Sequence, residues 1–409
     1  MAGAVLDCFQ GIPDHADPIF DQVTDDLRGL SSGLSAGQVL RCDPNYFPIR
    51  AELPSSGIPA ITSLNYLKAL VLKAYRRFAI EDVPVPVWQA DEVLVRVRAC
   101  GICGSDVHGI DGSSGRRIPP IIMGHEAAGE IAQVGSAVTN WKIGDRVTLD
   151  STVSCGQCWY CQSGKINLCE NRRVLGVSCG EYRRHGAFAE FVAVPQRILY
   201  RVPSDITFAQ AAMVEAVSVA VHAVKRTPLS PGASVAVVGT GMIGLLVVQA
   251  LRAAGCGPII ALDLEESKLQ LAKKFGATST LKADEPNTLE KIRGWTDGRG
   301  VDAAFEVVGL PQTVKTAIES VRKGGSVTLV GNLKPLVDLP LQSVVTREIT
   351  LLGTCASAGE YPACLELIAR GKINVTEFIS ATAPLEDGAA WFERLYAGEK
   401  GLMKVLLKP

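Results

Sequence analysis

The sequence lacks two features that would place the protein in a membrane or on a nucleic acid. No hydrophobic run approaches the roughly 20 residues that a membrane-spanning helix needs. Neither sign of charge is in excess, because 41 basic residues stand against 42 acidic ones. A small neutral substrate is therefore a better expectation than an anionic polymer or an anionic surface.

Targeting signals are also lacking near the amino terminus. The stretch MAGAVLDCFQG has no basic residue ahead of its short apolar segment, which is untypical of a secretory signal. Six aspartates within the first 26 residues argue against a mitochondrial presequence, which is rich in arginine and poor in acids. We therefore expect a cytoplasmic protein.

The sequence pattern divides the 409 residues into four segments. Residues 1–64 hold six prolines and no sustained periodicity, and they predict an extension with one short helix. Residues 65–216 show short strands bounded by Gly, Pro and Asp, which is typical of a barrel or a sandwich. Residues 217–353 alternate apolar strands with helices and predict a buried parallel sheet. Residues 354–409 add a helix and a final strand.

A glycine-rich turn separates the first apolar strand of the parallel sheet from the helix after it. In VAVVGTGMIGLLVV, three glycines permit a tight turn, the close approach of a pyrophosphate, and helix–strand packing. The next strand ends in Asp263, whose carboxylate could accept hydrogen bonds from ribose hydroxyls. The predicted cofactor-binding residues are Gly239, Gly241, Met242, Ile243, Gly244 and Asp263.

The residues after Asp263 favour NAD over NADP. Leu264, Glu265 and Glu266 follow it, and two carboxylates would repel a 2′-phosphate. An alternative role for Asp263 is the N-cap of the following helix, and both roles can coexist.

Cysteine is plentiful, and its spacing favours metal binding over disulfides. Eight of the 12 cysteines lie between Cys100 and Cys256, several of them at two-residue gaps. The run CGQCWYCQSGKINLC supplies four thiolates, enough for a closed tetrahedral zinc site with no position open to substrate. The predicted ligands of this structural zinc are Cys155, Cys158, Cys161 and Cys169.

A second metal site is indicated by ACGICGSDVHG, IIMGHEAAGE and AAMVEAVSVAVHA. Catalytic zinc takes three protein ligands and keeps an open position. A thiolate from the first stretch, His125, and a carboxylate from Glu126 or Glu215 would supply such a set. His222, on an apolar segment, is better interpreted as a core histidine.

These motifs together resemble the zinc-dependent medium-chain alcohol dehydrogenases, especially the sorbitol and polyol dehydrogenase branch. The resemblance runs from Tyr66 to Pro409 and includes TREITLLG near the end of the parallel sheet. It implies a GroES-like β-barrel catalytic domain, formed by residues 65–216 and 354–409, plus a Rossmann doubly wound parallel sheet that binds NAD in residues 217–353. It also implies two zinc ions per chain and a homodimer or homotetramer built by pairing Rossmann sheets.

The resemblance assigns roles to individual residues. Cys103 becomes the zinc thiolate beside His125, with Glu126 or Glu215 bound directly or through water, and Cys100 is not a ligand. Asp106 is expected to hold the histidine ligand. The predicted catalytic residues are Ser105 beside the substrate oxygen, His108 on the proton path, and Arg347 touching substrate or zinc-bound water.

Two positions depart from the pattern of the polyol branch. Ala216 replaces the proline that usually follows the acid of the third motif, and Gly109 stands where sorbitol enzymes place an aromatic residue. Sorbitol itself is therefore a doubtful substrate. Arginine pairs such as Arg183 and Arg184 could grip a sugar phosphate.

The expected reaction passes a hydride from a secondary alcohol or polyol, or from a sugar-alcohol phosphate, to NAD through a zinc alkoxide. A threonine- or aldose-type dehydrogenase of the same superfamily is an alternative, because substrate pockets vary by loop while cofactor parts stay the same. An alternative of another class is a non-catalytic NAD-binding scaffold held by the structural zinc alone.

Overall fold

The computed structural model describes residues 65–409, apart from the side chain of residue 181. The predicted extension of residues 1–64, with its short helix, lies outside the described residues. None of the helices between residues 65 and 409 has the length and apolar character needed to cross a bilayer.

The first part of the described chain consists mainly of short strands. Its strands are β1 (Tyr66–Ala74), β2 (Arg77–Pro84), β3 (Glu92–Gly101), β4 (Ile121–Ile122), β5 (Glu126–Val134), β6 (Arg146–Leu149), β7 (Thr152–Val153), β8 (Arg173–Val174), β9 (Phe191–Pro195) and β10 (Leu199–Arg201). Its helices are α1 (Gly104–Val107), α2 (Trp159–Gln162), α3 (Phe208–Ala212) and α4 (Val214–Arg226).

The second part alternates strands and helices. Its strands are β11 (Val235–Val238), β12 (Ile259–Asp263), β13 (Ser279–Lys282), β14 (Val301–Glu306), β15 (Val321–Leu329) and β16 (Thr350–Gly353). Its helices are α5 (Met242–Ala253), α6 (Glu266–Lys274), α7 (Thr288–Gly294), α8 (Pro311–Ser320) and α9 (Leu341–Thr346). The chain ends with α10 (Tyr361–Ala369), β17 (Ile379–Pro384), α11 (Gly388–Tyr396) and β18 (Lys404–Lys408).

The strands of the second part form one parallel sheet in the order β13-β12-β11-β14-β15-β16. This is the doubly wound order, in which successive strands are added on one side of β11 as far as β13 and then on its other side from β14 onward. Side chains alternate across the sheet, so Val235 and Val237 join the core on one face while Ala236 and Val238 join the core on the other. Because both faces are covered, the strand is apolar throughout, as the sequence pattern predicts.

The first part is built around the sheet β10-β6-β5-β3-β18-β17, with β9 also paired to β3. The last strand of the chain, β18, lies antiparallel to β3, and Leu406 and Leu407 stand opposite Gly101 and Cys100. Residues near the carboxyl terminus are thereby placed beside the strand that leads into the GICGSDVH motif. This β-sheet body and the parallel sheet are the two parts of the predicted α/β fold class.

Candidate active site

The chain leaves β3 and forms the single turn of helix α1 directly after Cys103. Cys103 is extended, with φ −82° and ψ 149°, and its N–H donates to Asp106 Oδ2 at 3.4 Å. The Ser105 hydroxyl donates to Cys103 Sγ at 3.3 Å. The turn therefore places the hydroxyl beside the thiol, while Asp106 is buried beneath them.

Three predicted metal ligands come together at this turn. The ligand atoms of Cys103, His125 and Glu126 all lie within 4.8 Å of one another. His125 and Glu126 are buried, and Glu126 Oε1 has no hydrogen-bond partner in the protein. A thiol, an imidazole and a buried carboxylate with one unpartnered oxygen, gathered within this distance, fit a metal ion of the zinc class. Cys100 is also buried, but it lies outside this group.

The other oxygen of Glu126 is held by a lysine from the end of the chain. Lys404 Nζ lies 2.5 Å from Glu126 Oε2 and donates to the carbonyl of Ile102 at 3.0 Å. Both charged side chains are essentially buried. Burial opposes the charge of Lys404, but Glu126 and the Cys103 sulfur outweigh it and raise the lysine pKa. Lys404 therefore pairs with Oε2, while Oε1 of Glu126 has no hydrogen-bond partner in the protein.

The second candidate carboxylate lies next to the group rather than in it. Ser151 donates to Glu215 Oε1 at 3.1 Å, and burial raises the pKa of Glu215. Burial also raises the pKa of Asp150 to about 7, and the charge of Glu215 adds to this effect. Of the two alternatives from the sequence, Glu126 is the one that the structure groups with Cys103 and His125.

The four cysteines of the loop between β7 and β8 form the second cluster. Their sulfur atoms all lie within 4.8 Å of one another, with Cys158 Sγ 3.5 Å from Cys161 Sγ. The N–H of Cys155 points to Cys169 Sγ, at 3.2 Å, and that of Cys158 points to Cys155 Sγ, at 3.3 Å. Backbone donors, from Gln157 first and then Cys158, lower the pKa of Cys155 to about 6. Burial instead raises the pKa of Cys161 and Cys169, so the case for a closed zinc site rests on the four sulfur atoms lying within reach of one ion.

The glycine turn lies at the carboxyl end of β11. A Cβ on Gly244 would lie 1.9 Å from the carbonyl oxygen of Gly239, so the turn can close only over a glycine. A Cβ on Gly241 would meet nothing within 4 Å, which leaves open space above the amino end of α5. This arrangement suits a pyrophosphate that approaches the backbone N–H groups of the helix. Met242 and Ile243 begin that helix.

Asp263 ends the neighbouring strand and is linked to the same turn. Its Oδ2 accepts from the Thr240 N–H at 2.7 Å and from the Thr240 hydroxyl at 3.1 Å. Its Oδ1 accepts from the N–H groups of Leu264 and Glu265, at 2.8 and 3.1 Å. The N-cap of α6 is Glu265, so Asp263 does not occupy that position. It joins the ends of β11 and β12, where a doubly wound sheet binds its ligand.

Comparisons with known proteins match both parts of the chain. The family "Alcohol dehydrogenase GroES-like domain" matches residues 89–204, and "Zinc-binding dehydrogenase" matches residues 243–370. The chain is 38% identical to sorbitol dehydrogenase of Bacillus subtilis over 84% of its length and 97% of the relative. The chain belongs to the zinc-dependent medium-chain alcohol dehydrogenases, in their polyol branch. It is thus a zinc- and NAD-dependent dehydrogenase, as the motifs predicted.

Other relatives and solved structures agree with this family. D-xylulose reductase A of Aspergillus oryzae is 35% identical over 86% of this chain and 98% of that protein. The structure of 2R,3R-butanediol dehydrogenase from Bacillus subtilis matches with a TM-score of 0.75 at 31% identity, covering 84% and 99% of the two chains. Galactitol-1-phosphate dehydrogenase from Escherichia coli matches with a TM-score of 0.77 at 27% identity, covering 84% and 100%. The predicted fold class is therefore confirmed.

The structure does not bring Arg347 to the metal group, and the predicted contact with substrate needs correction. Arg347 follows α9 and precedes the amino end of β16. Its Nη1 donates to the carbonyl of Ile318 at 3.2 Å, and its Nη2 donates to the carbonyl of Val321. In a parallel sheet the amino ends of the strands lie opposite the carboxyl ends that carry the glycine turn. This dehydrogenase therefore uses Arg347 to satisfy carbonyls where α8 ends and β15 begins.

The arginine pair considered for a sugar phosphate is already engaged within the protein. Arg184 Nη2 donates to Glu92 Oε1 at 2.9 Å and to the carbonyl of Ala193 at 2.8 Å. Arg183 Nη2 donates to the carbonyl of Pro120 at 3.0 Å. These contacts tie the loop before β9 to its surroundings.

Two further residues of the site were missed by reasoning from the sequence. Lys404 lies in the terminal strand, and Arg117 pairs with Asp106 at 2.8 Å with both side chains buried. Asp106 Oδ1 also lies 3.4 Å from His125 Nδ1. Burial opposes the charge of Asp106, but His125 and Arg117 together lower its pKa. A basic residue within a few positions of the GHE motif is the one local signal that could have indicated Arg117.

Proposed function

We propose that this chain oxidises a secondary alcohol group of a free polyol, with NAD as the hydride acceptor. The observation that carries the proposal is the buried group of Cys103, His125 and Glu126 with the Ser105 hydroxyl beside it. A thiolate, an imidazole and a carboxylate leave one position of a tetrahedral zinc ion open for substrate. The reverse reaction, ketose reduction, uses the same groups.

Each of these side chains has a definite task. Cys103, His125 and Glu126 would hold the catalytic zinc, with Glu215 available through a bridging water. Bound zinc supplies a positive charge that makes a hydroxyl proton easier to remove at neutral pH. Asp106 orients the imidazole of His125, as carboxylates commonly do behind a metal-bound histidine.

The proton leaves through the chain's own hydroxyl and imidazole. Ser105 Oγ accepts the proton of the substrate hydroxyl and passes its own proton to His108, which is exposed and reaches solvent. The glycine turn and Asp263 would hold NAD, which when bound would supply the acceptor for the carbinol hydrogen and its electron pair. The two carboxylates that follow Asp263 support NAD rather than NADP.

The remaining cysteine cluster has a structural task in this proposal. Cys155, Cys158, Cys161 and Cys169 would hold a second zinc, which leaves no open position. This zinc would tie together a loop whose two strands, β7 and β8, are only two residues each.

The proposed division has two domains. The catalytic domain consists of residues 65–216 and 354–409, and the Rossmann domain consists of residues 217–353. The pairing of β18 with β3 supports this division, because it joins the last part of the chain to the first.

The substrate is proposed to be an unphosphorylated polyol. The relatives named sorbitol dehydrogenase and D-xylulose reductase support this class. Arg183 and Arg184 already donate hydrogen bonds within the protein, which argues against their binding a substrate phosphate. A threonine- or aldose-type substrate is the alternative that a substrate screen would reveal.

The test combines activity with a metal count. Purified protein is assayed for NAD reduction with polyols, polyol phosphates, threonine and simple secondary alcohols, beside the variant Cys103→Ala. We expect turnover of a polyol by the wild type, none by the variant, and two zinc ions per chain falling to one in the variant. A wild type that holds one zinc and oxidises none of these alcohols would support the scaffold alternative.

We further propose a cytoplasmic homodimer, or a tetramer of two such dimers. Strand β16 lies at one edge of the parallel sheet among the described residues. The unpaired backbone N–H and C=O groups of an edge strand can hydrogen-bond to a second sheet. Leu336, Leu341 and Val345, which precede this strand, are 86%, 62% and 65% exposed, an unusual apolar exposure that a partner would cover. Sedimentation of the wild type against Leu336→Asp would test this, with a monomer expected for the variant.

A further inference from the structure

Arg117 connects the carboxylate behind the metal group to the hydroxyl in front of it. The arginine side chain is only 3% exposed. Its Nε donates to Asp106 Oδ1 at 2.9 Å, and its Nη2 donates to Ser105 Oγ at 3.3 Å. One planar guanidinium therefore contacts both groups at once, with donors in a fixed planar arrangement.

Gly109 provides the space through which this arginine passes. A Cβ at position 109 would lie 2.4 Å from Arg117 Cγ and 3.2 Å from its Cβ. The aliphatic stem of the arginine thus occupies the volume that a side chain at position 109 would need. The departure at Gly109 and the buried Arg117 are therefore two parts of one local arrangement.

The contact restricts what the Ser105 hydroxyl can do. A serine hydroxyl has one proton to donate, whereas a guanidinium can only donate. Because Arg117 donates to Ser105 Oγ, the serine proton must be directed elsewhere, and in the structure it points to Cys103 Sγ at 3.3 Å. The fixed positive charge also stabilises negative charge that develops on Oγ while a proton passes through it.

We propose that Arg117 is a positioning residue for proton transfer and acts through Ser105. The inference rests on the proposed function, in which Ser105 receives the substrate proton. In that step the substrate O–H bond breaks, a new O–H bond forms on Ser105, and the original serine proton leaves its hydrogen bond to Cys103 Sγ and moves to His108. Arg117 holds the oxygen in place and gains or loses no proton itself.

A simpler role, neutralising Asp106, makes a different prediction. Arg117→Lys retains a positive charge for Asp106 but loses the fixed planar set of donors that contacts Asp106 and Ser105 together. If Arg117 served only Asp106, this variant would retain most of its activity, and any loss would be independent of Ser105. The exposed neighbour Arg116 offers a matched control, Arg116→Lys, since its guanidinium has no contact with Ser105 or Asp106 among the described residues.

The experiment is a double-mutant cycle with Arg117→Lys, Ser105→Ala and the double variant. We expect Arg117→Lys to lower kcat by about tenfold, with KM for NAD and the content of two zinc ions unchanged. In the Ser105→Ala background the same change should alter kcat by less than about twofold, because the group it acts through is gone. An equal loss in both backgrounds, or full activity of Arg117→Lys, overturns the proposal.

The same proteins provide a readout that needs no turnover. Thermal unfolding of the wild type and the three variants should also show non-additive shifts, since the two side chains share a hydrogen bond. Strictly additive shifts would mean that the contact is not made in solution and would overturn the proposal. A wild type that oxidises none of the alcohols, with non-additive unfolding, would instead contradict the proposed function while leaving the contact between Arg117 and Ser105 intact.

Discussion

Removing the positive charge of Lys404 should destabilise this protein more than removing the whole ion pair. Lys404 Nζ lies 2.5 Å from Glu126 Oε2, and both side chains are at most 1% exposed. At an effective dielectric constant of about 20, two unit charges at this distance attract by roughly 7 kcal/mol. Desolvation of the two ions offsets most of that attraction, so the intact pair contributes little net stability.

The single change Lys404→Met leaves Glu126 buried without its partner. We expect a loss of about 3–5 kcal/mol in the free energy of unfolding, because the carboxylate must then be buried uncompensated or take up a proton. Glu126 Oε2 packs closely on Gly101 of β3, since a Cβ at that position would lie 2.2 Å from it. This packing limits the room for water to replace the lysine on that side. The double change Lys404→Met with Glu126→Gln removes both charges and should recover much of the loss.

Urea unfolding of the metal-free proteins provides the measurement, because bound zinc would itself compensate Glu126 and Glu126→Gln removes a proposed zinc ligand. The exposed pair of Arg394 and Glu399 provides the control, and Arg394→Met should leave the unfolding midpoint unchanged. The reasoning is refuted if Lys404→Met is as stable as the wild type. It is refuted equally if the metal-free double variant is as unstable as the metal-free single variant.

Three further changes test other parts of the molecule. Cys161→Ser should lower the zinc content from two ions to one and increase proteolysis of the loop between β7 and β8, measured by metal analysis and limited digestion. Gly241→Val, with open space around its Cβ position, should keep the thermal midpoint but weaken NAD binding at least tenfold, measured by fluorescence titration. Glu360→Gln should destabilise by about 3 kcal/mol at neutral pH, measured by urea unfolding across pH.

The sign of the pH dependence follows from the surroundings of Glu360. Burial opposes its charge, but the contacts with His222, the Ala358 N–H and Lys225 lower its pKa to about 2. A lowered carboxyl pKa stabilises the fold above the unfolded value near 4.5 and ceases to do so as the pH falls through the folded value. The difference between wild type and Glu360→Gln should therefore shrink on acidification, and a constant difference would contradict this account.

Short-range patterns predicted those parts of the molecule in which the interacting residues are neighbours in the chain. The strand, glycine turn and helix around Gly241 follow one another directly, so their spacing alone implies their geometry. Cys155 and Cys169 are 14 positions apart, and a loop of that length can bring both thiols to one ion. His222 was interpreted as a core histidine, and it is buried against Glu360.

Long-range contacts were not predictable in the same way. Lys404 is 278 positions from Glu126, and only the pairing of β18 with β3 brings them together. The predicted contact of Arg347 with substrate was not met, because TREITLLG indicates a strand after the arginine but does not indicate at which end of the sheet the arginine lies. Hydrogen bonds to two carbonyls decide that location.

The amino-acid sequence by itself therefore determined the class of chemistry, since thiolates, an imidazole, carboxylates and a glycine turn occur at spacings that few other functions need. Only the tertiary structure decided how the charges are compensated, with Lys404 on Glu126 and Arg117 on Asp106 and Ser105. The physical reason is that a buried charge must find an opposite charge wherever the fold offers one. Strand order and burial determine that partner, and residue spacing along the chain does not.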